Sequence, residues 1–297
     1  MKSIKAGVLE IAYHETGPTN GTPVVLLHGF PYDVQAYDAV SSSLANQGFH
    51  CFVPYLRGYG PTRFLSTDTM RSGEQAALGA DLLAFMDALS IKNALLGGYD
   101  WGGRAACIVA ALWPERVRGL VSCGKGYNIQ DIANAWKPAP AAQEARYWYM
   151  YYFHSERGRT GLTQNRRELC HHIWSLWSPS WRFNEATWAK TSPSFDNPDF
   201  VEIVIHSYRH RFGGILGDPA YHRIEERLAA QPGISTPCIV LQGQDDGVDP
   251  PVEEDIDRLL FSGFYERRII EGTGHNLPQE APEAFTDAVL TLSEVQQ

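Results

Sequence analysis

The sequence lacks any run of about 18 consecutive apolar residues, the length that a membrane-spanning helix needs. It also lacks clusters of lysine and arginine, since 34 acidic residues outnumber 25 basic ones and the net charge is -9. These absences argue against a membrane span and against nucleic acid or an anionic membrane surface as partner. The start, MKSIKAGVLEIAYHETG, has no long apolar core of the kind found in signal peptides and alternates like an edge strand. We therefore expect a small-molecule partner and no membrane anchor.

Cysteine is scarce, odd in number and widely spaced. Most of the cysteines lie within apolar runs, which predicts reduced, buried thiols and hence a cytoplasmic protein. The five are Cys51, Cys107, Cys123, Cys170 and Cys238.

Signals for a metal or a nucleotide cofactor are weak. Gly102-Gly103 lacks the rest of the glycine fingerprint of a nucleotide site. His206 and His210 have the i, i+4 spacing of metal ligands, but the sequence shows no acidic ligand beside them. We expect both histidines to pack or face solvent, and we expect neither a metal nor a cofactor.

Short apolar runs alternate with helical stretches, the rhythm of parallel strands joined by crossover helices. This predicts an α/β fold with a mostly parallel central sheet and helices on both faces. The predicted strands lie in 23–29, 49–58, 93–100, 117–124, 236–246 and 265–275, and the predicted helices lie in 34–48, 73–89 (amphipathic), after Asp100, near 251–262 and from Pro282.

One long segment interrupts this rhythm. Residues 127–222 carry six of the eight tryptophans, and their pattern is helical. We expect a helical cap (lid) over 127–222, inserted into a core domain formed by 1–126 and 223–297. Such a cap would cover the carboxyl ends of the strands, where open α/β sheets bind ligands.

A carboxylate stands at a sharp predicted turn, in Gly98-Tyr99-Asp100-Trp101-Gly102. A strained strand-to-helix turn of this kind lifts one side chain above the sheet, and esterases place serine there. A carboxylate that attacks an sp³ carbon forms an ester whose carbonyl carbon water can attack later, whereas a serine ether would be a dead end. The alternative is that Asp100 only caps the following helix.

A histidine and an acid follow in the order of a hydrolytic triad. His275 ends the last predicted strand, and Asp245, Asp246 and Asp249 lie just past the strand before it. We favour Asp246 as the acid, with Asp245 in reserve. The end of the preceding strand, VSCGKGYN, carries no carboxylate and offers no alternative.

Two backbone N–H groups are candidates for an oxyanion hole. The segment His28-Gly29-Phe30-Pro31 ends an earlier strand, and its loop can direct the N–H of Phe30 towards the elbow. Trp101, the residue after the nucleophile, would supply the second N–H. We expect His28 to brace this loop rather than to take part in the chemistry.

On these residues the whole chain resembles the α/β-hydrolase superfamily, and within it the epoxide hydrolases. The likeness also rests on YLRGYG (55–60), YMYYF (149–153) and SYRHRFG (207–213). The last two stretches are similar to the tyrosine-bearing stretches of that family's cap, and they place Tyr149 and Tyr208 at its two epoxide-activating positions. Tyr147, Tyr151 or Tyr152 would replace Tyr149 if the register differs.

The resemblance implies a cofactor-independent hydrolase that opens a small apolar or aromatic epoxide to a vicinal diol through an aspartyl ester. Phenols are protonated at neutral pH and can donate to the opening oxygen. The implied roles are nucleophile for Asp100, proton donors for Tyr149 and Tyr208, oxyanion hole for the N–H groups of Phe30 and Trp101, and activation of water by His275, oriented by Asp246.

Two other functions stay open. Haloalkane dehalogenases share the Asp-Trp-Gly elbow, so a haloalkane or haloacid dehalogenase could use the same nucleophile, with Trp101 and a cap tryptophan donating to the halide. A catalytically silent hydrolase-fold receptor for a small ligand is the second alternative. The sequence also leaves a homodimer open.

Overall fold

In the computed structural model, which describes residues 1–295, the chain forms one sheet of nine strands. Its central strands are continuous apolar runs, and Val24, Val25 and Leu26 are fully buried. Such runs are typical of parallel strands covered on both faces. The strands are β1 (Lys2–Ala6), β2 (Leu9–Thr16), β3 (Pro23–Leu27), β4 (His50–Pro54), β5 (Arg63–Phe64), β6 (Ala94–Gly98), β7 (Val117–Cys123), β8 (Cys238–Gly243) and β9 (Tyr265–Ile270).

The strand order is β1-β2-β4-β3-β6-β7-β8-β9, with β5 paired to β2. All pairs from β4 across to β9 are parallel, while β2 runs antiparallel to β1, β4 and β5. After β4 the chain crosses back past β3 to form β6, so the direction of winding reverses at β3. Open α/β sheets bind ligands beyond the carboxyl ends of their strands at such a reversal. The topology therefore places a site after β3 and β6.

Helices cover the sheet in two layers, which confirms the predicted fold class. The helices are α1 (Asp38–Asn46), α2 (Gln75–Ala88), α3 (Asp100–Leu112), α4 (Ala141–Arg146), α5 (Trp148–His154), α6 (Glu156–Trp177), α7 (Glu185–Thr191), α8 (Phe200–Arg211), α9 (His222–Ala229), α10 (Leu277–Glu280) and α11 (Pro282–Glu294). Helices α2 and α3 pack on each other and on the sheet, while α10 and α11 pack on each other, on α1 and on the sheet.

Two predicted helices differ from the structure. Helix α2 is not amphipathic, because nine of its fourteen residues are buried where it packs against α3, α9 and β1. The helix expected near 251–262 is reduced to a 3₁₀ turn, Ile256–Leu260. Its apolar residues Ile256 and Leu259 are exposed, so this segment has no buried face to stabilise a longer helix.

Between β7 and β8 the described chain contains helices α4 to α9 and no strand of the sheet. The tryptophans of this helical insertion are divided, since Trp174 and Trp177 are buried while Trp136 is 76% exposed. Helix α9 packs on α2. The division into a core of 1–126 and 223–297 and a cap of 127–222 stays a prediction.

The cysteines follow the sequence expectation, since all five are free and buried. Within residues 1–295, no helix has both the length and the apolar character that crossing a membrane would require.

Candidate active site

The turn between β6 and α3 holds Asp100 in a backbone conformation that few side chains adopt. Its φ is +49°, in the left-handed region, and such strain is typical of functional sites. The turn is possible because Gly102 has no side chain, since a Cβ there would lie 2.0 Å from the carbonyl oxygen of Leu27. The Asp100 side chain is thereby lifted above the ends of β3 and β6.

The loop after β3 meets this side chain with a backbone donor. The N–H of Phe30 donates to Oδ1 of Asp100 at 2.7 Å. Trp101 lies in the first turn of α3, where backbone N–H groups have no partner within the helix. His28 braces the loop, because its Nε2 accepts from the N–H of Leu56 at 3.1 Å. Burial lowers the pKa of His28 to about 4, so it is neutral and structural.

His275 lies between two carboxylates. Its Nδ1 donates to Oδ2 of Asp246 at 2.8 Å, and its Nε2 lies 3.9 Å from Oδ2 of Asp100. Nε2 is buried and has no hydrogen-bond partner in residues 1–295. The other oxygen of Asp246 accepts from the N–H groups of Val248 and Asp249, at 2.8 and 2.9 Å. These bonds fix the orientation of the acid and hence of the imidazole.

The charge state of His275 follows from these neighbours. Burial alone would lower its pKa, but Asp246, and after it Asp100 and Asp249, raise the pKa to about 9. The imidazole is therefore cationic at neutral pH.

Asp245 and Asp249, the other acids considered from the sequence, are not hydrogen-bonded to His275. Oδ1 of Asp249 accepts from the hydroxyl of Tyr147 at 2.8 Å and lies 3.3 Å from Nζ of Lys125. Asp245 is half-buried, and its side chain forms no hydrogen bond with His275. The structure thus brings Asp246, the favoured acid, to the histidine.

Tyr149 of α5 and Tyr208 of α8 meet edge to face above the elbow. Their ring centroids are 5.4 Å apart at 88°, and the Tyr208 ring lies 6.1 Å from that of Trp101. Burial, with further contributions from neighbours that include Asp100, raises the pKa of both phenols well above the usual range. Both phenols are therefore protonated at any ordinary pH.

The alternative tyrosines are placed less favourably for this chemistry. The hydroxyl of Tyr151 is bonded to Glu144 on the surface, and that of Tyr147 to Asp249. Tyr152 is half-buried and packs against Trp148. Among the four, Tyr149 alone packs against the ring of Tyr208 in the described residues.

A cavity of about 290 Å³ opens on this arrangement. Of the residues predicted from sequence, Asp100, Tyr149 and His275 line it. The lining is more polar than the sequence suggested, because Arg104, Lys125, Arg211 and Asp249 also contribute to it. Arg104 could have been noticed as a single charge one turn after Asp100 in an otherwise apolar helix, GGRAACIVAAL.

The expectation that the two histidines pack is confirmed, whereas the absence of acidic residues beside them in sequence does not hold in the folded protein. Nε2 of His210 lies 3.7 Å from Oε2 of Glu74, and Glu225 lies close enough for the three to hold a metal ion. Glu74 precedes α2 and Glu225 lies in α9, so neither acid is near His210 in sequence. Both carboxylates already accept hydrogen bonds, Glu74 from the N–H of Asp218 and Glu225 from that of Ala76. Neither His206 nor His210 faces solvent, as both are buried.

Comparison with known proteins agrees with this architecture. A family model described as the α/β-hydrolase fold matches residues 22–282. The chain belongs to the α/β-hydrolase family. This confirms the resemblance inferred from the elbow and the HGFP segment.

Similar α/β hydrolases include several epoxide hydrolases. The chain is 26% identical to epoxide hydrolase A of Mycobacterium tuberculosis, over 93% of this chain and 91% of that protein. It is 29% identical to an epoxide hydrolase of Caballeronia sordidicola, over 94% and 90%. A crystal structure of a candidate epoxide hydrolase from Klebsiella pneumoniae shares 47% identity, with a TM-score of 0.96 over 99% of this chain and 97% of that one. These relatives support a hydrolase.

Replacing Asp246 by Asn should lower the pKa of His275 from about 9 towards or below its usual 6.5, because the carboxylate that raises it most is removed while burial persists. Titration of the imidazole nitrogens by NMR measures this. Asp245→Asn is the matched control and should leave the midpoint unchanged. Equal midpoints in the Asp246→Asn protein and the parent would contradict the assigned pairing.

The raised pKa of His275 also predicts how the free energy of unfolding changes with pH. Because the folded-state pKa of His275 lies above its usual 6.5, this group stabilises the fold fully below that pH. The contribution is lost as the pH rises through about 9. The free energy of unfolding of the parent should therefore fall over this range more than that of Asp246→Asn, as measured by denaturant titration at each pH.

Proposed function

We propose that this protein hydrolyses an epoxide to a vicinal diol through a covalent ester between the substrate and Asp100. The observation that carries the proposal is the pairing of a carboxylate, rather than a hydroxyl, at the elbow with two buried, protonated phenols, of which Tyr149 lines the cavity and Tyr208 packs against Tyr149. The similarity to epoxide hydrolases supports the same chemistry. The helical insertion then acts as a cap that brings Tyr149 and Tyr208 over the nucleophile.

In the first half-reaction an oxygen of Asp100 attacks one ring carbon, and the bond from that carbon to the epoxide oxygen breaks. The departing oxygen would become an alkoxide, so a proton from Tyr149 or Tyr208 stabilises it as it forms. Neither phenol donates a hydrogen bond within the described residues, which leaves both protons available for a substrate. The products of this step are an alkyl ester on Asp100 and a tyrosinate.

The second half-reaction needs a base, and the first half-reaction makes His275 able to act as one. Once Asp100 is an ester it has no charge, and one of the carboxylates that raise the pKa of His275 is gone. The imidazolium becomes more acidic and can pass its proton to the tyrosinate, after which Nε2 can accept a proton from water. Nε2 faces Asp100 with no protein partner in residues 1–295, so a water molecule between them is well placed.

Water then attacks the ester carbonyl, and the N–H groups of Phe30 and Trp101 stabilise the oxyanion. The hydrogen bond from Phe30 to Asp100 is already formed, so this donor needs no rearrangement. The bond from the acyl carbon to the diol oxygen breaks, and the diol takes the proton held on His275. The second proton of water passes from the new carboxyl group of Asp100 to His275, so Asp100 returns as a carboxylate and His275 as a cation. The cycle uses no cofactor.

A dehalogenase is the second candidate, and one observation favours it. Trp177 of the helical insertion has a buried Nε1–H without a hydrogen-bond partner in residues 1–295. Its ring lies 4.9 Å from that of His275 and 5.0 Å from that of Tyr149. A free indole donor beside His275 and Tyr149 could stabilise a departing halide, together with Trp101.

Replacing His275 by Gln should separate the two half-reactions. A carboxylate is ionised at neutral pH and needs no activation, so Asp100 should still attack while the ester is no longer hydrolysed. Mass spectrometry should show one substrate added per protein, on the peptide that carries Asp100. An epoxide adds its whole mass, whereas a haloalkane adds its mass less hydrogen halide.

The control for this experiment is the double variant Asp100→Asn/His275→Gln, which should form no adduct. If His275→Gln binds an epoxide and never forms an adduct at Asp100, the covalent mechanism is wrong. Binding without adduct or turnover in the parent as well would indicate a ligand receptor.

Changing Tyr149 or Tyr208 to Phe should slow epoxide opening by about 10²-fold to 10⁴-fold, the usual cost of losing general-acid help. The double change should cost more, because one phenol can partly replace the other. Tyr151→Phe is the matched control, because Tyr151 lies on α5 like Tyr149 but on its exposed side. Stopped-flow single turnovers measure the effect. Equal losses with a haloalkane, whose leaving group needs no proton, would indicate a packing role instead.

A further inference from the structure

The cavity beside Asp100 contains two arginines that form no ion pair with a carboxylate within residues 1–295. Arg104 is 5% exposed, and in the described part of the chain its guanidinium forms one hydrogen bond, from Nε to the backbone oxygen of Asn128, at 3.3 Å. The guanidinium of Arg211 forms neither a hydrogen bond nor an ion pair within residues 1–295, although it is only partly exposed. Both side chains line the cavity. Most of their donors are therefore free to bind something inside it.

Two positively charged arginines in one cavity are energetically costly when no anion is bound. Buried charges are normally paired, because removing an ion from water costs several kcal/mol unless other groups replace the lost hydration. Here the two cations also repel each other, since burial and the charge of Arg211 together lower the pKa of Arg104. The fold keeps two like charges at its reaction cavity, and an anionic ligand would compensate both.

Other charged side chains of the lining already have partners. Lys125 is paired with Asp249, which also accepts from the hydroxyl of Tyr147 and whose charge raises the pKa of Arg211. Glu144 accepts from Ala139 and from Tyr151, at the rim. Asp100 contributes a charge that raises the pKa of Arg104, but the proposed reaction neutralises it. The lining as a whole carries four acidic and four basic side chains besides His275, but within residues 1–295 no carboxylate is hydrogen-bonded to the guanidinium of Arg104 or Arg211.

Both arginines lie on the same helix faces as the reacting groups. Arg104 follows Asp100 by four residues on α3, and Arg211 follows Tyr208 by three on α8. Residues three or four apart share one face of a helix. The planar guanidinium donates two parallel hydrogen bonds that fit a carboxylate or a phosphate group.

Resting on the proposed function, we propose that the substrate is an epoxide that carries a small oxyanion, best a carboxylate, which Arg104 and Arg211 bind while Asp100 attacks the ring. This replaces the expectation of an apolar epoxide by that of an anionic one. The arginines would also orient the ring, because the distance from the anion to the ring determines which carbon faces Asp100.

A role of Arg211 in tuning the phenols, rather than in binding an anion, has a different consequence. Its charge opposes the effect of burial on the pKa of Tyr149 and Tyr208, so it could serve only to make the phenols better proton donors. In that case Arg211 would matter equally for charged and neutral epoxides. A comparison of matched substrates separates the two roles.

The test uses epoxides that differ in charge and hardly in shape. Glycidate is compared with glycidamide, and the para-carboxylate of styrene oxide with its para-carboxamide, while glycidyl phosphate tests the alternative oxyanion. The parent protein should have a higher kcat/KM for the carboxylate of at least one pair, by about 10-fold or more, the size expected for hydrogen bonds to a charged group. A preference for glycidyl phosphate instead would identify phosphate as the oxyanion.

Variants then assign the preference to its residues. Arg104→Gln and Arg211→Gln should each reduce the ratio of kcat/KM for the carboxylate over the amide by about 10-fold or more. Arg157→Gln removes one charge from an exposed position of α6 and is the matched control, with an unchanged ratio. Equal losses for both substrates in Arg211→Gln, or an unchanged ratio in Arg104→Gln, would overturn the assignment to that residue.

Calorimetry with unreactive probes tests the inference without variants and without turnover. Benzoate should bind the parent protein at least 10-fold more tightly than benzamide, and equal binding would overturn the anion site. If no epoxide of either charge is hydrolysed, the proposed function fails, and this binding result still decides the anion site. Halide release from a haloacid together with tight benzoate binding would keep the anion site and replace the epoxide.

Discussion

The loop after β3 and the turn after β6 approach each other so closely that a side chain on Gly29 or Gly102 would collide with the other segment. A Cβ on Gly29 would lie 2.5 Å from the Cβ of Asp100, and one on Gly102 would lie 2.0 Å from the oxygen of Leu27. This contact sets the short hydrogen bond from Phe30 to Asp100, holds the side chain of Asp100 above the sheet, and fixes where any substrate carbon must come to react. The cap residues, the histidine and the arginines are all placed relative to it.

Charge around one imidazole links the parts of the proposed cycle. His275 lies between Asp246 and Asp100, and both carboxylates stabilise its cationic form. A reaction that consumes the charge of Asp100 changes the proton affinity of His275 at the moment when a base is needed. The same change removes a negative charge from the vicinity of Arg104, and a substrate with an anionic group of its own would replace that charge.

The sequence predicted the parts of this molecule that depend on local pattern. Continuous apolar runs gave the parallel strands, and the glycines around Asp100 gave the elbow, because few conformations satisfy such a turn. The acidic partner of His275 could be narrowed to the loop after β8, since chain order restricts it. The expected helix near 251–262 did not form, because its apolar residues find no surface to pack against.

Residues brought together from distant helices were harder to predict. The proximity of Glu74 to His210 depends on how the helical insertion docks on α2, which no local pattern encodes. The same docking places Arg211 in the cavity of Arg104. A single arginine on a helix is ordinarily solvated or paired, and only the packed structure reveals that neither of these two forms an ion pair with a carboxylate of residues 1–295.

In the covalent mechanism the oxygen added to the substrate comes from Asp100 and not directly from water. A single turnover in ¹⁸O-labelled water, with protein in excess over epoxide, tests it most directly. The covalent mechanism predicts an unlabelled diol and one ¹⁸O atom in the carboxylate of Asp100, because water attacks the acyl carbon. A labelled diol from the first turnover, with Asp100 unlabelled, would contradict the account.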